Sequence, residues 1–313
     1  MDNLTHSLVG AVMGQAGLKR KTGLAMPALI IGANLPDVDA ACFFWLDGVE
    51  PLAFRRGITH GPPAWVLLPL VLAGILWGWD RWQARRGTRP EGRLPVRFGW
   101  LYALSFLACL THPALDWMNV YGIRLLEPFS HRWFYGDVLF IIDIWLWLIL
   151  GVATWLSLRR EKRGGSWRQP ARTAIAVGLA YIGLNAFVTG TAERNLHASP
   201  TGTQIVIASP QPLLSFQREM ISGGNGLYTS SQRTLPGVPL DSCNLEAARR
   251  SDPQIDAFLF WSRTPFVEPR EDSTLWLRDA RYSDPRMGDR FAVRLPATAC
   301  PAVRTEPAPR DGG

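Results

Sequence analysis

Charge is what this chain has least of. Only 19% of its 313 residues are Asp, Glu, Lys or Arg, against about 25% in a soluble protein. The shortage is local: residues 67–79, 100–110, 138–158 and 173–188 run almost without charge. Cysteine is scarce too. The four cysteines, Cys42, Cys109, Cys243 and Cys300, lie too far apart for a zinc-finger pattern. A glycine-rich nucleotide loop is missing, and so is a Gly-x-Ser-x-Gly nucleophile elbow. The N-terminus lacks the basic start of a secretion signal: Asp2 and His6 occupy that region and residues 10–18 are only mildly apolar. It reads as a retained helix.

What is present reads as a polytopic membrane protein. Residues 138–158 match the roughly 20 residues that cross a bilayer core. Residues 62–79 and 172–190 reach that length with their flanks, and 98–115 does so with His112 at the interface. Basic residues collect at Lys19, Arg20 and Lys21, between Arg81 and Arg97, and between Arg159 and Arg172. Basic loops stay in the cytoplasm. All three clusters lie there if the helices near 2–18 and 23–34 and the four longer runs alternate across the membrane. The net charge of +7 falls within the first 194 residues, and the remainder is neutral. The charge is therefore a topology signal, and no nucleic-acid partner is expected.

The same alternation gathers the ionisable groups on one side of the membrane. His6, Asp37, Asp39, His60, His112, Asp116, Asp137 and Asp143 all come to the outer ends of their helices. Ionisable groups in such places are costly unless paired, and a divalent cation suits histidine mixed with carboxylate. His112 and Asp116 share one helix face at four-residue spacing, with Thr111 and Pro113 suggesting a new helix start. Asp37 and Asp39 flank Val38 in an extended turn after Pro36. His6, Asp37, His60, His112 and Asp116 are the expected metal ligands. Asp39 and Asp137 are expected as further ligands or as the base. Arg56 is expected to clamp a phosphate or carboxylate of the substrate, because guanidinium matches such groups with two hydrogen bonds.

These motifs together resemble the YdjM-like family of bacterial inner-membrane proteins described as metal-dependent hydrolases. The residues carrying the likeness are Asn3-Leu4-Thr5-His6-Ser7-Leu8, Asn34-Leu35-Pro36-Asp37-Val38-Asp39, Arg56-Gly57-Ile58-Thr59-His60 and Thr111-His112-Pro113-Ala114-Leu115-Asp116-Trp117. Asn119-Val120-Tyr121-Gly122, Pro128-Phe129-Ser130, Asp137 and Asp143 extend it. The order of ligands is also loosely similar to zinc-dependent phospholipase C enzymes, without their further His and Glu ligands. The resemblance implies a divalent metal, zinc being the expected ion. It also implies hydrolysis at a membrane surface, placed at the outer face; a phosphoester of a small molecule or lipid is the expected bond because Arg56 and the membrane location suit it. The rival expectation is a non-catalytic membrane metal-binding or ion-transport protein.

The expected fold is a mainly α transmembrane helical bundle over residues 1–194. A small β-rich extramembrane domain follows over 195–300, placed in the periplasm, and 301–313 is expected to be a disordered tail. Short runs such as 213–220, 227–232, 257–261 and 291–295, separated by Gly, Pro, Asn and Asp, read as strands. Cys243 and Cys300 both fall there, where oxidation is permitted, and a disulfide between them is an open alternative.

Overall fold

The computed structural model describes residues 1–197, 205–211, 213–231, 233–284 and 288–301. The proposed tail lies outside the described residues except for Pro301. The chain forms two compact units that interleave in sequence. The first holds Met1–Ala40, Arg56–Val188 and Pro210–Gln217; the second holds Ala41–Arg55, Thr189–Ser209 and the chain from Arg218.

The first unit is helical: α1 (Asn3–Gln15), α2 (Ala25–Gly32), α4 (Pro62–Arg85), α5 (Phe98–Trp117), α6 (Ile144–Lys162) and most of α7 (Arg168–His197). The single turn α3 (Pro51–Phe54) belongs to the second unit. The helices α4, α5 and α7 are long and apolar enough to cross a membrane. Their outward residues fit lipid contact: Leu67, Val71 and Ile75 on α4 and Leu179 and Phe187 on α7 are exposed. Together α2 and the 3-10 stretch Leu35–Phe44 meet the same test as a pair bent by 53°.

Three local expectations change. Residues 138–158 are not one helix. Asp143 accepts hydrogen bonds from the N–H groups of Trp145 and Leu146 and so starts α6 at Ile144. The preceding Val138 and Leu139 N–H groups donate instead to the Met118 carbonyl, at 2.8 and 2.9 Å. The uncharged part of α6, residues 144–158, is then short of the roughly 20 residues a straight span needs. Pro113 starts no helix: α5 runs through it to Trp117. Proline lacks only its own N–H, so one helical bond to Cys109 is lost while the turns either side hold. Thr111 donates back to the Ala108 carbonyl at 2.7 Å rather than capping. Asp37 and Asp39 lie on a 3-10 stretch, not in an extended turn.

Small residues set the spacing of the bundle. A Cβ on Gly10 would stand 2.5 Å from the Leu29 carbonyl oxygen, and one on Gly32 3.2 Å from the Ala108 Cβ. Backbones approach this closely only where side chains are absent or small. The contact draws α1 and α5 onto α2. The core of this unit is Ala25, Ala28, Leu29, Leu72, Leu101 and Leu104 with their neighbours.

The second unit carries two antiparallel sheets. One orders β1 (Ile205–Pro210), β2 (Arg218–Gly224), β3 (Leu227–Ser230) and β4 (Arg233–Thr234) in sequence. The other orders β5 (Pro265–Pro269), β6 (Leu275–Asp279) and β7 (Ala292–Leu295). Two helices interrupt them, α8 (Leu245–Ser251) and α9 (Pro253–Trp261). The expected strand at 257–261 is thus helical. The Asp252 side chain accepts from the Gln254 N–H and Pro253 occupies the first turn, a start signal stronger than the apolar run that follows. In the run 213–220, the strand begins only at Arg218. The buried Asp279 accepts from Ser262, Thr264 and Arg281. Burial opposes its charge, but the Arg281 guanidinium and these donors outweigh it and hold the carboxyl well below its ordinary range.

Cys243 and Cys300 form a disulfide across 57 residues. Replacing both by serine should lower the stability of this unit by about 4 kcal/mol, the loop-closure value for that separation. Thermal unfolding with and without reductant measures it. No shift would mean that the bond constrains nothing.

Candidate metal centre

Four segments of the first unit deliver one cluster. His6 lies in the first turns of α1, which Asp2 begins by accepting from the Leu4 and Thr5 N–H groups. Asp37 lies on the 3-10 stretch after α2. His60 ends the 3-10 turn Ile58–His60, just ahead of α4. His112 and Asp116 occupy the last turns of α5. His6, His60, His112 and Asp116 are fully buried.

Asp116 is the hub. Its carboxylate oxygens stand 3.4 Å from His6 Nε2, 3.6 Å from His60 Nε2 and 3.6 Å from His112 Nε2. Asp37 Oδ1 is 3.7 Å from His112 Nε2. The rings of His6 and His112 stack at 3.7 Å, and that of His60 meets His112 edge-on at 5.0 Å. These separations are too long for hydrogen bonds. They match ligand atoms around one ion, which stand about 3.4 Å apart in a tetrahedron with bonds of about 2.1 Å. Among the described residues two triplets meet the distance test for a shared cation: His6, Asp37 and His112, and His60, His112 and Asp116.

The tautomers point the same way. His112 Nδ1 lies 2.7 Å from the Ala33 carbonyl oxygen. A carbonyl only accepts, so Nδ1 carries the proton and Nε2 presents a bare lone pair. His60 Nδ1 lies 2.9 Å from Thr59 Oγ1, which stands 3.2 Å from Asp39 Oδ2. This chain favours the same tautomer. The Nε2 atoms of His6, His60 and His112 are buried without a hydrogen-bond partner. For His60 and His112 a lone pair is thus turned toward a carboxylate in a buried site, which is unfavourable. A cation between them removes the cost. The five residues expected as ligands therefore fit a divalent ion.

Asp39, Arg56 and Asp137 take other places. Asp39 Oδ2 accepts from the Arg56 N–H at 2.7 Å and lies 3.5 Å from His60 Nδ1. It braces His60 from behind. Arg56 does not reach outward as a substrate clamp. Its Nε pairs with Asp116 Oδ2 at 2.9 Å, and Nη1 donates to Asn119 Oδ1 and the Gly122 carbonyl at 2.9 and 3.2 Å. Its guanidinium lies over the Tyr121 ring at 4.5 Å. The amino group of Met1 also contacts Asp116. Asp137 is buried with φ at 53° beside the end of α5 and belongs to neither triplet. Asp143 caps α6 and accepts from the Tyr181 hydroxyl at 2.8 Å.

Sequence reasoning passed over Thr59, Asn119 and Tyr121 as site residues. Asn119 and Tyr121 stood in a stretch that extends the family likeness, and Asn119 follows Asp116 by three residues, just past the end of α5. Thr59 links Asp39 to His60, so Thr59→Val should weaken metal binding about 10- to 100-fold, as loss of a ligand's orienting partner does. Competition with a metal-sensitive dye measures it, and an unchanged affinity would assign Thr59 to packing alone.

Comparison with known proteins agrees with the membrane reading. The uncharacterized protein YfhP of Bacillus subtilis is 23% identical over 284 residues, covering 84% of this chain and 80% of the relative. No solved structure matches, and the looser likeness to zinc-dependent phospholipase C gains no support. The description YdjM inner membrane protein matches residues 1–192. This stretch carries the whole His/Asp cluster and the apolar helices around it, and the chain belongs to the YdjM inner membrane protein family.

Proposed function

We propose that this chain is a membrane-bound metal-dependent hydrolase, with zinc the ion that best suits its ligands. The observation that carries the reading is the set of buried, unpartnered imidazole nitrogens gathered within 3.4–3.6 Å of the Asp116 carboxylate. His6, Asp37, His60, His112 and Asp116 would hold the metal. When bound, such an ion supplies a water acidified to a pKa near 7 and polarises the bond under attack. The chain's own residues fix the ligands. Ala33 sets the tautomer of His112, the Asp39–Thr59 pair sets that of His60, and Arg56 balances the charge of Asp116. The buried surroundings exclude bulk water.

The substrate we assign is a phosphoester on a small molecule or lipid within reach of the bilayer. Arg56 no longer argues for it. What supports it is a divalent-cation site at the end of apolar helices. The cluster lies at one end of the bundle and the basic residues Arg85, Arg159, Arg160 and Lys162 at the other ends of α4 and α6. By the basic-loop rule the cluster then faces the periplasm. A disulfide in the second unit fits that oxidising compartment.

The test is a hydrolysis screen in detergent on phosphomonoesters, phosphodiesters and phospholipids, with the protein metal-loaded or chelated. Turnover that needs the metal and disappears in Asp116→Asn supports the enzyme. Full metal occupancy without turnover on any ester would favour the rival, a metal-binding scaffold. An ion path is less well supported. It calls for polar groups down the membrane depth, and the buried face of α5 between Leu101 and Cys109 offers only Ser105.

A further inference from the structure

We propose that the groove between α6 and α7 binds an anionic phospholipid, independently of the metal centre. The groove has a volume of about 670 Å³, within the range that holds a ligand. Val152 and Leu156 from α6 and Ala174 and Val177 from α7 form its apolar walls, and Arg160 and Gln169 stand at its polar end. The α6 and α7 helices pack onto α1 through Leu150 and Ala171 against Val12, which leaves the outer side of their junction open.

Charge selects the occupant. The Arg160 side chain is exposed, and among the described residues it makes no hydrogen bond or ion pair. Arg159, Lys162, Arg163 and Arg168 lie within eight residues of it in the chain. Glu161 is the one acid between Arg159 and Arg172, and it is already paired with Lys19. Arg159 lies over Trp155 and Arg168 over Trp167, at 5.3 and 5.1 Å, in the manner of aromatics at a bilayer interface. An apolar slot between helices that ends in uncompensated arginine takes an acyl chain below and a phosphate above. The metal centre is elsewhere. Leu146, which packs with Met1 and Leu115 near the cluster, precedes Arg160 by a helical rise of roughly 21 Å.

The experiment uses the full chain in detergent, titrated with phosphatidylglycerol or phosphatidylcholine of the same acyl chains, with bound lipid counted by native mass spectrometry. The wild type should prefer phosphatidylglycerol. Arg160→Ala should lower that preference about fivefold, the effect of one arginine at an anionic surface. Val152→Trp, which fills the slot, should weaken binding of both lipids. Metal content should stay unchanged in both variants, which shows that the fold is kept and separates this site from the cluster. Equal affinity of the wild type for the two lipids, or either variant binding phosphatidylglycerol as tightly as wild type, overturns the proposal.

Discussion

Replacing His112 and Asp116 together with alanine should strip the protein of its metal. Loss of a partner that merely orients a ligand costs about 10- to 100-fold in affinity. Removing two ligands, one of them the hub that three imidazoles face, should cost more than about a hundredfold. Elemental analysis after gel filtration in detergent should show near-stoichiometric metal in the wild type and background in the double variant. Asp116→Asn is the milder companion. It keeps the shape and removes the charge, so it should fold and still bind weakly. Equal metal in all three proteins would sink the site.

Arg56→Met should destabilise the helical unit strongly. Arg56 and Asp116 form a buried ion pair at 2.9 Å, and removing one partner of such a pair costs about 3–5 kcal/mol because the other charge is left unbalanced. The loss should be greatest in chelator and smaller with metal present, since the ion itself then offsets the carboxylate. The double variant Arg56→Met with Asp116→Asn should be less destabilised than the sum of the two single changes. Thermal unfolding in detergent, with and without metal, gives all of these. Simple additivity, or a cost indifferent to metal, would mean that the pair is not coupled to the centre.

The residues legible in the sequence were those whose chemistry is intrinsically out of place. A histidine or aspartate at the end of an apolar helix needs a partner wherever the chain folds. His6, Asp37, His60, His112 and Asp116 could therefore be grouped from position and charge topology, and the structure brings these five together. Roles that depend on direction were not legible. Arg56 has the chemistry of a phosphate clamp, but its left-handed backbone, φ 56°, accompanies a side chain turned inward onto Asp116. Asp39 differs from Asp37 by two positions, and the 3-10 stretch sends one to His60 Nδ1 and the other to His112 Nε2. Pro113 looked like a boundary, and the bundle carries α5 straight through it.

By itself, the sequence determined that this is a charge-poor membrane bundle with metal-type ligands at one end and arginines at the other. Apolar length and charge placement are properties of the chain before it folds. Only the tertiary structure decided which nitrogen of each histidine faces the centre, which carboxylate is the hub and which merely braces, and that α6 and α7 part to leave a slot. These are matters of ångströms and angles. For the cluster, the close contacts of α1 and α5 with α2 at Gly10 and Gly32 fix the helix ends that carry His6, His112 and Asp116, because helices that touch backbone to backbone leave their end residues little freedom in where to point.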